Sequence, residues 1–243
     1  MNLYVKNISK AYSKKKVVHN FSMTMQRGEA VALLGPNGAG KTTCFSIIAG
    51  LVKLDSGEIF IGDKDITHVP IYHRSYYGIG YLPQESSIFR GLNVYDNIMC
   101  ILEHVESDYS KRQSKIEELL GEFGISHLKH ASAAELSGGE RRRLEIARSL
   151  ALNPKFMLLD EPLAGIDPIA IADIKNLISR LKQRNIGILI TDHNVRETLD
   201  IVDKAYVIFE GKELFCGTPK EVARSKIVKN VYLGESLKDE YQQ

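Results

Sequence analysis

Gly35-Pro36-Asn37-Gly38-Ala39-Gly40-Lys41-Thr42 follows the apolar run Val31–Leu34 and precedes Thr43–Ala49, a helix-like segment closed by Gly50. That context decides the fold. A chain that wraps a phosphate must turn its N–H groups inward, and Gly35, Gly38 and Gly40 allow the backbone angles and the close approach this needs. Pro36, Asn37 and Ala39 complete the loop, and the helix N-terminus at Thr42 and Thr43 adds free donors and an aligned dipole. Lys41 can reach the outer phosphate oxygens as a point charge, and the Thr42 hydroxyl can ligate Mg²⁺. The stretch Gly35–Thr43 is thus expected to bind a nucleotide.

Moving outward, Ala30–Leu34, Ile79–Leu82, Phe156–Leu159 and Ile186–Ile190 are short apolar runs, the pattern of strands covered on both faces. Helical spacing separates them. Ile116, Leu119, Leu120 and Phe123 fall on one face, as do Ile174, Leu177, Ile178 and Leu181 after the Asp167-Pro168 start signal. Strands alternating with helices predict an α/β core. Phe21–Gln26 alternates apolar and polar, and Glu58–Gly62 is a second short strand, so an antiparallel β layer is expected towards the N-terminus. A helix-rich stretch, about 83–150, is expected to form a subdomain within the single domain 1–243. The run Phe156–Leu159 delivers Asp160 and Glu161 at the strand's C-terminal edge, where ligands gather in α/β sheets. Asp160 can hold Mg²⁺, and Glu161, facing differently, can polarise a water in line with the terminal phosphate.

With 32 Lys and Arg against 30 Asp and Glu, the net charge of +2 argues against wholesale nucleic-acid binding, and Lys14–Lys16 reads as a solvated turn. Cys44, Cys100 and Cys216 are odd in number and far apart, which gives neither a disulfide framework nor a metal cluster and fits a reducing, cytosolic setting. Cys44, two residues after Thr42, is expected to make the protein sensitive to thiol reagents. No secretory pattern is present at Met1–Lys10, and no run approaches the ~20 apolar residues of a spanning helix, so a membrane role would act through partners.

Leu136-Ser137-Gly138-Gly139-Glu140 stands before a helix predicted over Arg141–Leu152. This string resembles the signature of the ABC-type ATPases, with Glu140 where the family usually has Gln. The resemblance spans about Asn2 to Glu235. It implies a P-loop NTPase core of ABC type, with an N-terminal antiparallel β layer and a helical subdomain inserted in a RecA-like core. It also implies ATP and Mg²⁺ as ligands and ATP hydrolysis as the activity. By resemblance, Tyr12 stacks on adenine, and Gln84 senses Mg²⁺ and the γ-phosphate. Ala164-Gly165-Ile166-Asp167 is similar to the dimer-crossing loop, and His193 to the switch histidine that contacts the γ-phosphate. Ser137, Gly138 and Gly139 form a second anion cradle. In the family fold the phosphate loop and the signature lie on opposite sides of a nucleotide. One copy of each therefore implies a head-to-tail homodimer closed by two ATP molecules.

Tyr81–Ile98, Leu136–Asp160, Thr191–Glu197 and Val231–Glu235 are similar to the branch of the family that powers lipopolysaccharide export in Gram-negative bacteria. That likeness implies two inner-membrane permease subunits as partners, contacted near Ile88, Phe89, Arg90 and Tyr95, and a peripheral place on the cytoplasmic face of the inner membrane. Gly91 departs from the bulkier or basic residue expected there. ATPases of branched-chain amino-acid importers remain an alternative. A repair or translation role fits less well. Lys41 and Ser137 are 96 residues apart without heptads between them, and the chain carries one such domain.

Overall fold

The computed structural model describes residues 1–13, 15–163 and 168–233. It divides into two compact units, one formed by 1–79 and 155–243, the other by 80–154. Lys14, in the basic run, Ala164–Asp167, and Gly234-Glu235 lie outside the described residues.

The described residues form two sheets, which belong to the first unit apart from residues 80–82. β1 (Asn2–Tyr12), β2 (Lys15–Gln26), β4 (Ser56–Ile61) and β5 (Lys64–Asp65) form an antiparallel sheet ordered β2-β1-β4-β5. Alternation is the cause: Phe21, Met23 and Met25 are buried while the residues between them are more accessible. β3 (Ala30–Leu34), β6 (Ile79–Leu82), β7 (Phe156–Asp160), β8 (Gly187–Thr191), β9 (Lys204–Phe209) and β10 (Lys212–Gly217) form the second, ordered β10-β9-β3-β8-β7-β6. The pairs β3–β8, β3–β9 and β7–β8 are parallel. All five residues of β3 and of β8 are buried, as the apolar run of β3 and the Ile188–Ile190 centre of β8 favour. Two of the strands end differently from expectation. Asp160 belongs to β7, and β8 runs from Gly187 to Thr191, with no room for a Cβ at Gly187 against Phe156 and the Gln26 carbonyl.

β9 and β10 were not evident from the apolar runs. They make a two-residue hairpin whose turn, Glu210-Gly211, takes positive φ at both positions (47° and 77°), the twist that joins antiparallel strands tightly.

α1 (Lys41–Ala49) follows β3 through the glycine loop and starts two residues earlier than its pattern suggested. Phe45, Ile47 and Ile48 are fully buried, each contributing about 1.5–3 kcal/mol by transfer from water. Gly50 closes it in the left-handed conformation, φ 84°, its N–H returning to Ile47 O. Beyond it, α2 (Ile71–Arg74) supplies Arg74, whose buried guanidinium donates to the carbonyls of Ile48, Val69 and Ile66. Burial pushes that guanidinium down to about 10. Its charge lies at the negative end of the α1 dipole, which compensates part of the desolvation.

The second unit is helical: α3 (Val94–Leu102), α4 (Tyr109–Glu122) and α5 (Gly138–Leu150). Ile116, Leu119, Leu120 and Phe123 are buried, as their spacing predicts. In the first unit, α6 (Pro168–Gln183) buries Ile174, Leu177, Ile178 and Leu181, α7 (Val195–Leu199) follows β8, and α8 (Pro219–Arg224) follows β10. Asp167, the expected cap of α6, lies outside the described residues. Among the described residues no helix is long and apolar enough to cross a membrane.

Candidate functional site

Three neighbouring strands deliver the chemistry to one sheet edge. Leu33 of β3 pairs with Thr191 of β8, and Thr191 pairs with Asp160 of β7. Just past that row the chain continues as Gly35 from β3, His193 from β8 and Glu161 from β7. Parallel strands lie about 4.8 Å apart, so three loops converge here without any one being long.

The loop Gly35–Gly40 is wedged against its own chain. A Cβ on Gly35 would stand 2.1 Å from the Ile208 carbonyl oxygen, and φ is +146°. A Cβ on Gly40 would stand 2.7 Å from the Val17 carbonyl, and φ is +103°. The turn of the β9–β10 hairpin closes the back, with Gly211 N–H donating to Ala39 O (2.9 Å). Within the loop Ala39 N–H donates to Pro36 O, and Asn37, Gly38 and Thr42 are exposed while Thr43 is half-buried. Lys41 is 5% exposed and donates to the carbonyls of Gly35 (2.6 Å) and Pro36 (3.0 Å). Burial lowers its pKa from the ordinary lysine value, and the Glu161 carboxylate opposes that shift. Lysine and glutamate therefore feel one another's field.

Glu161 has φ +45°, the left-handed region that a non-glycine residue enters at a cost of order 1–3 kcal/mol. Its N–H donates to Thr191 O at 2.7 Å, which fixes the turn. The turn brings Glu161 Oε1 to 2.6 Å from His193 Nε2, with His193 exposed and Glu161 mostly shielded. The two residues expected to act on the terminal phosphate and the attacking water thus form a pair. Asp160, at the end of β7, and the exposed Thr42 hydroxyl are hard oxygen donors of the kind Mg²⁺ takes, one or two from protein and the rest from phosphate and water. Among the described residues no three His, Cys, Asp or Glu side chains converge as a metal cluster.

Two organisers were not identified from sequence. Asp192 is 1% exposed and accepts from Leu163 N–H and Asn194 N–H, both at 2.8 Å, tying the chain after Glu161 to the turn that carries His193. Its signal was its place in the Thr191-Asp192-His193-Asn194 string. Tyr232, near the C-terminal end of the described chain, accepts a hydrogen bond from the Gly35 backbone. Burial pushes its phenol up, against that bond. Tyr12 is half exposed (48%), with Lys10 Nζ over its ring, 5.6 Å from the centre.

Cys44 corrects an expectation. It lies on the buried face of α1, wholly inaccessible, and burial pushes its thiol up to about 12, so it is neither reachable nor nucleophilic in the folded chain.

The second unit holds Gln84, exposed after β6, and the signature string. α5 begins at Gly138 rather than Arg141, so both glycines belong to its first turn. Ser137 is the N-cap, and Glu140 closes a capping box: Ser137 N–H donates to Glu140 Oε2 at 2.9 Å and Glu140 N–H returns to Ser137 Oγ at 3.4 Å. The Ser137 hydroxyl, donating to Glu140 Oε2 at 2.6 Å, and then the Ser137 N–H hold the Glu140 carboxyl below its usual range. The departure from Gln thus retains the same reciprocal cap. Of the residues expected to meet a permease, Phe89 (47%) and Arg90 are exposed, whereas Ile88 (8%) is buried and the Tyr95 hydroxyl is covered. Ile88 packs inward because the apolar interior of the unit claims it, and Tyr95 lies under Lys129, 5.0 Å from its ring centre.

Residues 18–164, more than half of the chain, match the ABC transporter family. The chain belongs to the ABC transporter family. The lipopolysaccharide export system ATP-binding protein LptB of Haemophilus influenzae is 53% identical over 238 residues, covering 97% of this chain and 98% of the relative. LptB of Escherichia coli K12 is 52% identical with the same coverage. An uncharacterized ABC transporter ATP-binding protein of Rhizobium meliloti is 54% identical over 235 residues, covering 97% and 87%. Among solved structures, the ADP conformation of MJ1267, an ATP-binding cassette of an ABC transporter, superposes with a TM-score of 0.85 at 31% identity, covering 97% of this chain and all of that one. This family member is an ATP-hydrolysing, nucleotide-binding subunit, and its α/β fold with an antiparallel β layer is that of the ABC cassettes.

Proposed function

We propose that this ATPase works as a head-to-tail pair that powers extraction of lipopolysaccharide from the inner membrane towards the outer membrane. Each subunit is bound to an inner-membrane permease at the cytoplasmic face. The unit 80–154, lying in sequence between the two halves of the other unit, is read as the helical subdomain. The observation that carries the pairing is at Gly138 and Gly139. A Cβ on either would meet nothing within 4 Å, and neither has positive φ. Among the described residues nothing requires glycine in the first turn of α5, where each costs up to about 1 kcal/mol relative to alanine. Close approach from outside does require it: the terminal phosphate held by another copy would meet the bare N–H groups there.

In this reading Gly35–Thr43 wrap the phosphates, and Lys41 leaves its loop carbonyls for the β and γ oxygens. Tyr12 stacks on adenine. Thr42 and Asp160 would hold Mg²⁺, with Gln84 sensing it. Bound there, the ion neutralises charge developing on the phosphate oxygens. Glu161 orients and deprotonates the attacking water, and its contact with His193 is exchanged for one between His193 and the γ-phosphate. Loss of that phosphate removes the ligand of Ser137–Gly139 in the other copy, and the pair opens. The exposed Phe89 and Arg90 are the permease-facing residues, over the buried Ile88. The near full-length similarity to two LptB proteins supports lipopolysaccharide as the cargo.

Gel filtration of Glu161→Gln with Mg-ATP tests the pairing: a dimer is expected with ATP and a monomer with ADP, and a monomer in both refutes it. Affinity capture from native membranes tests the cargo. Permeases that bind lipopolysaccharide are expected, and amino-acid importer permeases would overturn that assignment.

A further inference from the structure

Among the described residues the carboxylates buried below a few per cent are Asp192 and Glu145. Asp192 builds the turn of His193. Glu145, on α5 and 2% exposed, has no place in the nucleotide machinery. Its Oε1 accepts the Ser87 N–H at 2.9 Å, and its Oε2 accepts from Arg142 Nη1 at 3.1 Å. The same Arg142 nitrogen donates to Pro83 O at 3.2 Å. One further turn along, Arg148 donates to Ser87 Oγ at 2.6 Å and lies 4.9 Å from the centre of the Phe89 ring. From α3, the fully buried Asn97 accepts the Phe89 N–H at 2.9 Å and donates to the Phe89 carbonyl at 3.0 Å.

The segment from Pro83 to Phe89, which begins beside Gln84 and ends on the exposed aromatic, is therefore bonded by side chains rather than by a sheet or a helix of its own. Burying a carboxylate and an arginine for this is not the most stabilising choice, since well-packed apolar residues commonly do as well or better. What the charged set supplies is register: a carboxylate that takes one backbone N–H and one guanidinium can hold the segment in one position only. Glu145 is eight residues beyond Ser137 on the same helix, roughly 12 Å along its axis. A helix capped at Ser137–Glu140 and packed through Leu144, Ile146 and Ala147 moves as one body.

We propose that Glu145 is a positioning residue that makes segment 83–89 follow the signature turn, so that engagement of a phosphate at Ser137–Gly139 is delivered to Phe89. The proposal rests on the paired-subunit reading above. Arg142 and Arg148 assist, and Glu145 itself touches no nucleotide.

The test is hydrogen exchange of the Phe89 amide, whose own acceptor is Asn97, in full-length Glu161→Gln protein with Mg-ATP and with ADP. ATP is expected to change Phe89 exchange by about tenfold or more when Glu145 is present. Glu145→Ala should abolish most of that difference while the ATP-bound dimer still forms, and Glu145→Gln, which keeps an acceptor for Ser87, should restore it. Ser87→Pro removes the same bond from the loop side and should behave like Glu145→Ala, so the test survives if the alanine variant does not fold. An unchanged ATP-dependent difference in either variant overturns the role of Glu145, as does a dimer whose Phe89 amide never responds to ATP. A chain that stays monomeric with ATP instead overturns the paired-subunit reading, and gel filtration tells the two failures apart.

Discussion

Two glycine-rich turns open two helices in this protein, and they use glycine for opposite reasons. At Gly35 and Gly40 the backbone is at positive φ, and a side chain would collide with the Ile208 and Val17 carbonyls. At Gly138 and Gly139 there is only open space, in ordinary helical conformation. The first pair is demanded by the interior of the chain; the second, in the paired-subunit reading proposed above, answers to something outside it. Glycines of the first kind should fail by unfolding. Those of the second should fail only in assembly.

Gly35→Ala is the severest test of the contrast. Strain and overpacking together should destabilise the fold by roughly 2–5 kcal/mol in urea unfolding, and an unaltered midpoint would erase the distinction. Lys41→Ala, at the same loop, should weaken ATP binding about tenfold or more by titration calorimetry, because a charge-assisted contact to phosphate is lost. Gly138→Ala should do the reverse of Gly35→Ala to stability, raising it by about 0.5–1 kcal/mol in the isolated chain. Its methyl group should nonetheless weaken the ATP-dependent dimer at least about fivefold in sedimentation, and a variant with both stability and pairing unchanged would break the argument.

The smallest effect concerns Cys44. At neutral pH a thiol reagent should leave the folded protein's ATPase activity intact. With its folded pKa raised from 9.0 to about 12, the thiol stays protonated in the fold while an unfolded chain ionises earlier. Its contribution to stability is therefore full below pH 9 and declines as pH rises from 9 towards 12. Alkylation of Cys44 itself in native protein at pH 7, located by peptide mass apart from Cys100 and Cys216, would contradict the burial.

Much of the site was legible because its elements advertise themselves locally. The loop 35–42 has its glycines at fixed spacing. Phe156–Leu159 ends in two carboxylates as a buried strand can. Ser137 and Glu140 are three apart, which is a capping box whatever else they do. What stayed hidden depends on contacts distant in sequence. The β9–β10 hairpin turns on Glu-Gly rather than the familiar Asn-Gly, and its closure of the phosphate loop through Ile208 and Gly211 leaves no trace in residues 35–40. Arg74 reads as an ordinary charge before β6, yet it caps the far end of α1. Ile88 sits beside the exposed Phe89 and Arg90, and Cys44 lies two residues from the exposed Thr42, so composition could not say which way each faces.

The sequence by itself determined which groups could bind a phosphate, a metal and an attacking water, because backbone freedom, charge and hydrogen-bonding capacity belong to residue types and short spacings. The tertiary structure alone decided that Glu161 meets His193, that Asp192 and Glu145 are buried to hold turns in place, and that Cys44 is out of reach. Those outcomes depend on which strands become neighbours and which helix face is covered, and chain segments tens of residues apart settle that together.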